Sequence, residues 1–136
     1  MKDSIFTKII RGEIPSHKIY EDDKTFAFLD IHPGKPGHTL VIPKKQVEFV
    51  WDLPPEDLHA LWDTASKIAK HIQPIIGSKR IGSMIVGFGV PHAHVHLVPI
   101  DDISELKEAD DQTCEPDHKA LAEMAAKLRL KDNITK

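Results

Sequence analysis

"VPHAHVHLVP", residues 90–99, sets His92, His94 and His96 at every second position, with Ala93, Val95 and Leu97 between and after them. Such alternation marks a β-strand, whose successive side chains point to opposite faces. The apolar trio then faces a core, and the three imidazoles share the other face and line a cleft. Histidine is an uncommon residue, so perfect alternation of three is not the pattern of an incidental polar face.

Two chemistries fit such a row. Neighbouring histidines on a strand can hold zinc with bonds of about 2.0–2.1 Å. His92 and His96, however, lie roughly 13 Å apart along an extended backbone, so all three do not readily converge on one ion. The other is covalent catalysis at phosphorus. A neutral imidazole nitrogen is a good nucleophile near pH 7, and its neighbours can donate hydrogen bonds to phosphate oxygens as charge develops. Spacing leaves both open and favours the nucleophile.

Outward from the row, "RIGSMIVGF" (residues 80–88) reads as the strand before "HAHVHLVPI", joined to it by a glycine-containing turn. Residues 52–77 form the clearest helix. Asp52 is its expected N-cap, Pro54 and Pro55 suit its first turn, and Pro74 and Gly77 are expected to end it. Leu58, Leu61, Trp62, Ala65, Ile68, Ala69 and Ile72 make its apolar stripe. Further upstream, "FTKIIRGEIP" is a short helix stopped by Gly12 and Pro15. "HKIYED" and "TFAFLDI" pair as a hairpin across Asp22 and Asp23, and "HTLVIPKK" is a third strand. After residue 101 comes an acidic arm, then a last helix with Leu121, Met124, Ala125 and Leu128 on one side. The expected fold is α+β: an antiparallel sheet of about five strands, one long helix and short terminal helices. Residues 1–136 form one domain, with a core at about 4–100 and an arm and helix at about 101–131.

The totals narrow the function. A chain with 40% apolar and 29% charged residues is an ordinary globular protein. Its formal net charge of -3 lacks the basic footprint of a nucleic-acid binder or a membrane-surface protein. Cys114 is the only cysteine, so no internal disulfide forms. No segment has the length of an apolar bilayer span, and a cytoplasmic location is expected.

"HAHVHLV" (residues 92–98) resembles the signature of the histidine triad superfamily. "SIFTKIIRGEIPSHKIYEDDKTFAFLDIHPGKPGHTLVIPKK" (residues 4–45) is similar to the start of its nucleotide-binding Hint branch almost position by position. The resemblance spans roughly residues 4–100. It implies a homodimer with one continuous sheet, and a hydrolase or transferase acting at the α-phosphate of purine nucleotide derivatives. Nucleoside phosphoramidates are the first expected substrate class and dinucleoside polyphosphates the second. By the same resemblance, His94 attacks and forms a nucleotidyl-histidine. His96 contacts phosphate oxygens or the leaving group, His92 orients the nucleophile, and His38 is the family's fourth histidine. Asp30 matches the acid that accepts both ribose hydroxyls, and Ile14, Phe28 and Ile31 match positions around the base. No metal or other cofactor is required.

Three departures qualify the match. Many bacterial relatives bind a structural zinc through two cysteines and a histidine, at positions that are Ser4, Thr7 and Gln46 here. Hydroxyls and an amide do not replace those ligands, so no metal site is expected there. The segment "IVGFGVPH" lacks the asparagine and glutamine usual before the triad. The backbones of Gly89 and Val90, with Gly87, are then the expected phosphate contacts. This loss also motivates an alternative, a nucleotide-binding adaptor with weak or lost catalysis. Leu29 stands where close relatives often carry histidine.

Overall fold

A computed structural model describes residues 2–108 and 113–134. In chain order it contains α1 (Ile5–Ile10), β1 (Lys18–Glu21), β2 (Thr25–Leu29), β3 (Thr39–Pro43), a 3-10 turn (Val50–Asp52), α2 (Pro55–Ile76), β4 (Arg80–Met84) and β5 (Val95–Ile100). A second 3-10 turn (Ile103–Glu105) and α3 (His118–Leu128) follow. The strands form one antiparallel sheet in the order β1-β2-β3-β5-β4, so the fold is α+β as expected. The β1–β2 hairpin closes on Asp22, whose Oδ1 accepts the backbone N–H groups of Lys24 and Thr25 at 2.9 and 2.8 Å. Among the described residues, no helix is long and apolar enough to cross a membrane.

The sheet's two faces carry separate apolar clusters. Ala27, Leu29, Val41, Val95 and Leu97 meet Leu61, Ala65, Ile68 and Ile72 of α2 on one side, joined by Leu121, Ala125 and Leu128 of α3. On the other side Phe26, Phe28, Leu40 and Ile42 meet Phe6 and Ile9 of α1. Leu61, Ile68 and Ile72 are fully buried, each contributing about 1.5–3 kcal/mol in area removed from water.

The long helix differs from its sequence reading in three details. Its stripe runs through Asp57, Leu61, Thr64, Ala65, Ile68 and Ile72, while Trp62 is exposed. One residue beyond Leu61 is a 100° rotation on a 3.6-residue helix, enough to leave the buried sector. Asp52 ends the 3-10 turn and caps nothing on α2. Pro55 takes the first helical position, where its missing N–H costs nothing, and Pro54 precedes it. Pro74 does not stop the helix either. It sits in the last turn, where the absent donor affects only the carbonyl of Lys70, an exposed residue. Gly77, at φ 82°, ends the helix in the left-handed conformation.

The two strands around the histidine row are shorter than their apolar patterns suggest. β4 stops at Met84 and β5 begins at Val95, so His92 and His94 precede the ladder and only His96 lies in it. The backbone donors there go elsewhere: His92 N–H to the Val90 carbonyl at 2.8 Å and Ala93 N–H to the Val47 carbonyl at 2.7 Å. Alternation still holds in its main consequence, since Ala93, Val95 and Leu97 all lie in the α2-side core.

Gly37 sets the entry to β3. Its φ is 91°, and a Cβ there would collide with the Ile76 side chain at the end of α2. Gly37→Ala is expected to destabilise the protein by about 2 kcal/mol, read as a lower urea midpoint with an unchanged m-value.

Candidate active site

Four histidines converge; main-chain groups set the proton on three rings, and His38 passes that order to the fourth, His96. His96 sits in β5 in register with Leu40 of β3 and Met84 of β4. His38 immediately precedes β3. The Gly34 backbone N–H donates to His38 Nδ1 at 3.0 Å, so that nitrogen is unprotonated and Nε2 carries the proton. His38 Nε2–H then donates to His96 Nδ1 at 2.9 Å. The proton of His96 is thereby left on its Nε2, which is buried and has no hydrogen-bond partner. It is a donor awaiting an acceptor.

The other two rings follow the same logic. His92 Nε2–H donates to the Pro43 carbonyl at 2.7 Å, and its Nδ1 accepts the Ser4 hydroxyl at 2.8 Å. The His92 carbonyl in turn accepts His94 Nδ1–H at 2.7 Å. The Nε2 lone pair of His94 is therefore available, with the His96 ring 5.2 Å away between centroids. Phe6 packs edge-on against His94 at 5.1 Å and restricts its rotation.

The remaining expected residues fall into three groups. Asp30 follows β2; its Oδ1 accepts the His32 N–H at 2.9 Å and its Oδ2 lies 3.7 Å from His38 Nε2. Asp30, His38 and His96 each offer an atom within 4.8 Å of the others. Phe28 is buried in the α1-side cluster, with Ile14 and Val90 half-buried against it. Ile31 and Gly89 are exposed. Of the five histidines without an expected role, His59 and His118 are exposed, whereas His71 is partly buried with an unpartnered Nε2.

A model of the HIT domain matches residues 11–103. The chain belongs to the HIT family. This HIT protein is 38% identical to the adenosine 5'-monophosphoramidase of Saccharomyces cerevisiae over 99 residues, 72% of this chain and 63% of that protein. It is 34% identical to an adenylylsulfatase of Arabidopsis thaliana over 102 residues, 71% of this chain and 52% of that one. A crystal structure of a Hit-like protein involved in cell-cycle regulation from Bartonella henselae matches with a TM-score of 0.81 at 36% identity. That match covers 93% of this chain and 94% of the other.

Sequence reading treated Ser4, Thr7 and Gln46 only as missing zinc ligands. In this HIT protein they form a hydrogen-bonded group that ends on His92. Gln46 Oε1 accepts the Ser4 N–H at 2.8 Å and the Thr7 hydroxyl at 2.6 Å, and Gln46 Nε2–H donates to the Lys2 carbonyl at 2.7 Å. Two hydroxyls and an amide already engaged this way do not fit zinc. The group joins α1 to the residue whose carbonyl orients His94. A serine, a threonine and a glutamine taking the places of three spatially adjacent ligands was the signal for it.

Burial disfavours the charged form of three site histidines. It pushes His38 and His96 down to about 4, helped at His96 by the neighbouring His38 and His94 rings. His92 is lowered too, chiefly by burial, and burial raises Asp30 against the pull of the His32 N–H. The unfolded chain, with imidazoles near 6.5, binds more protons than the folded chain between about pH 4 and 6.5. Stability is therefore full above pH 6.5 and lost as pH falls through that window. Urea denaturation at pH 7.5 and 4.5 is expected to differ by roughly 2–4 kcal/mol, and His38→Gln should reduce the difference.

Proposed function

We propose that this HIT protein is a nucleotide hydrolase or transferase that cleaves at the α-phosphate of purine nucleotide derivatives, with nucleoside phosphoramidates as the favoured substrates. One observation carries the proposal. His94 donates its only proton to the His92 carbonyl, which leaves an attacking lone pair beside the unpartnered Nε2–H of His96. The names of the yeast phosphoramidase and the plant adenylylsulfatase support a reaction at an adenylyl phosphate.

In the first step His94 Nε2 bonds to the α-phosphorus and the bond to the leaving nitrogen breaks. The departing amine takes its proton from solvent water, and the water that attacks in the second step returns one to solvent. His94 keeps its Nδ1–H, and the His92 carbonyl stabilises the cationic ring that results. His96 Nε2–H donates to a non-bridging oxygen, and the His38 Nε2–H behind it strengthens that bond. Water then attacks phosphorus, the P–N bond to His94 breaks, and a nucleoside monophosphate leaves. Asp30 receives the two ribose hydroxyls on its two oxygens. Ile14, Phe28 and Ile31 flank the base, and the backbone at Gly89 and Val90 lies toward the phosphate. The protein acts as a homodimer through the edge strand β4, beside which Phe49, Trp51 and Phe88 are exposed.

Intact-protein mass spectrometry after brief exposure to adenosine and guanosine phosphoramidates and polyphosphates tests the reading. A nucleotidyl adduct mapped to His94 is the expected result. An adduct on another residue would remove His94 from its role, and nucleotide binding without turnover of any compound in the panel would overturn the reading in favour of the adaptor alternative.

A further inference from the structure

Beyond β5 the chain does not trail away. Ile103–Glu105 is closed by a capping box: the Asp102 carboxylate accepts the Ser104 N–H at 3.0 Å, and Glu105 Oε1 accepts the Asp102 N–H at 3.2 Å and also the Asp101 N–H at 2.6 Å. Glu105 Oε2 pairs with Lys35 Nζ at 3.0 Å, which ties this turn to the loop before His38. Leu106 lies over Gly82 of β4, and the Lys107 carbonyl packs on Gly34, where an added Cβ would run into it. Two glycines thus form the seat of an anchored arm, and one of them is the residue whose N–H sets the proton on His38.

The next residue, Glu108, places Oε1 3.4 Å from Nε2 of His96. That nitrogen is the one ring donor among the four site histidines that is buried without a hydrogen-bond partner. The Glu108 side chain is 43% exposed, so it can swing aside. Among the described residues its carboxylate has no lysine or arginine partner. With Asp30 on the other side of His38, the surroundings of His96 carry two carboxylates. Residues 85–91, "IVGFGVP", carry no polar side chain.

We propose that Glu108 is a specificity-determining residue that selects leaving groups by charge, receiving the cationic portion of a departing amine and repelling anionic ones such as polyphosphates. The proposal rests on the reading that His94 attacks the α-phosphate. On that reading His96 Nε2–H holds a phosphate oxygen, and Glu108, 3.4 Å from that nitrogen and partly exposed, stands at the edge of the phosphate site where the tail of a departing group can reach it. A carboxylate within a few ångströms, partly shielded from water, acts on a full charge far more strongly than on a neutral chain, and added salt weakens the effect.

Three adenosine 5'-phosphoramidates test this with the same P–N bond and similar chains: one made from hexylamine, one from 1,5-diaminopentane and one from 6-aminohexanoate. In wild type, kcat/KM for the cationic tail is expected to exceed that for the anionic tail by tenfold or more. Glu108→Gln should bring the ratio within threefold of one, and Glu108→Lys should invert it, with the neutral-tailed compound changing less than threefold in the Gln variant. A ratio unmoved by both substitutions would overturn the proposal. So would an equal gain for all three compounds in Glu108→Gln, which would make the carboxylate a plug and not a selector. Kd values for the same compounds in His94→Ala protein, with and without Glu108→Gln, read the preference without chemistry. Absence of turnover in wild type would therefore remove the His94 reading, while the Kd ratio still decides on Glu108.

Discussion

Replacing His94 with alanine is expected to lower kcat/KM for adenosine phosphoramidates by about 10⁴-fold or more and to abolish the covalent adduct. The size follows from the nucleophile's place in the sequence of steps. Without it no nucleotidyl intermediate forms, and only binding and electrostatic stabilisation remain to act on a direct attack by water. The fold should survive. The ring makes one hydrogen bond, to the His92 carbonyl, and edge contacts with Phe6 and His96. Nucleotide affinity should stay within about tenfold of wild type, because the proposed ribose contact at Asp30 and the proposed base contacts at Ile14, Phe28 and Ile31 are untouched. Adduct formation at an unchanged rate would remove His94 from its role. A loss of affinity as large as the loss of rate would make the ring a binding group.

Ile68→Ala should cost about 3 kcal/mol of folding stability, within the 2–5 kcal/mol range of large-to-small core changes. Ile68 is fully buried in the middle of α2, facing the sheet. Neither helix nor sheet can close on the vacated volume without breaking contacts at Leu61 and Ile72. Trp62→Ala removes a larger side chain but an exposed one, and should cost under about 1 kcal/mol. Urea titrations of both variants decide the matter, and equal costs would contradict the burial pattern of α2.

Much of this architecture is legible in local sequence. Short apolar runs rich in aromatic and branched residues, with alternation in the histidine row, locate all five strands, and the Asp22–Asp23 turn signals the hairpin because an aspartate can hold two backbone donors. The long helix and its partner stripe on α3 follow from spacing of three and four. What local sequence hides is set by contacts distant along the chain. Residues 85–88 and 92–94 look like strand, yet the Val90 and Val47 carbonyls draw the His92 and Ala93 N–H groups out of the ladder. Trp62 is as apolar as its neighbours, and only the exact phase of α2 against the sheet exposes it.

The site divides in the same way. The spacing of His92, His94 and His96 points to a shared purpose, but the order of protons among the rings depends on Gly34, Pro43 and the His92 carbonyl, which are main-chain groups with no side-chain signature. The Ser4–Thr7–Gln46 group joins residues some forty positions apart. Glu108 lies in an acidic run where composition alone marks no residue out, and its meeting with His96 depends on the seat made by Gly34 and Gly82.

The proton order in the His38–His96 pair is dictated by a main-chain amide, which no side-chain substitution can reverse. The residues proposed to meet the phosphate and the departing group sit on separate segments, at 85–91 before the row and at 101–108 after it. The molecule is therefore built like a tool with a fixed chuck and exchangeable bits. Drift in either segment can retune what the protein releases while the polarity of its reaction centre is inherited intact, and an engineer can rewrite the arm without first relearning the chemistry.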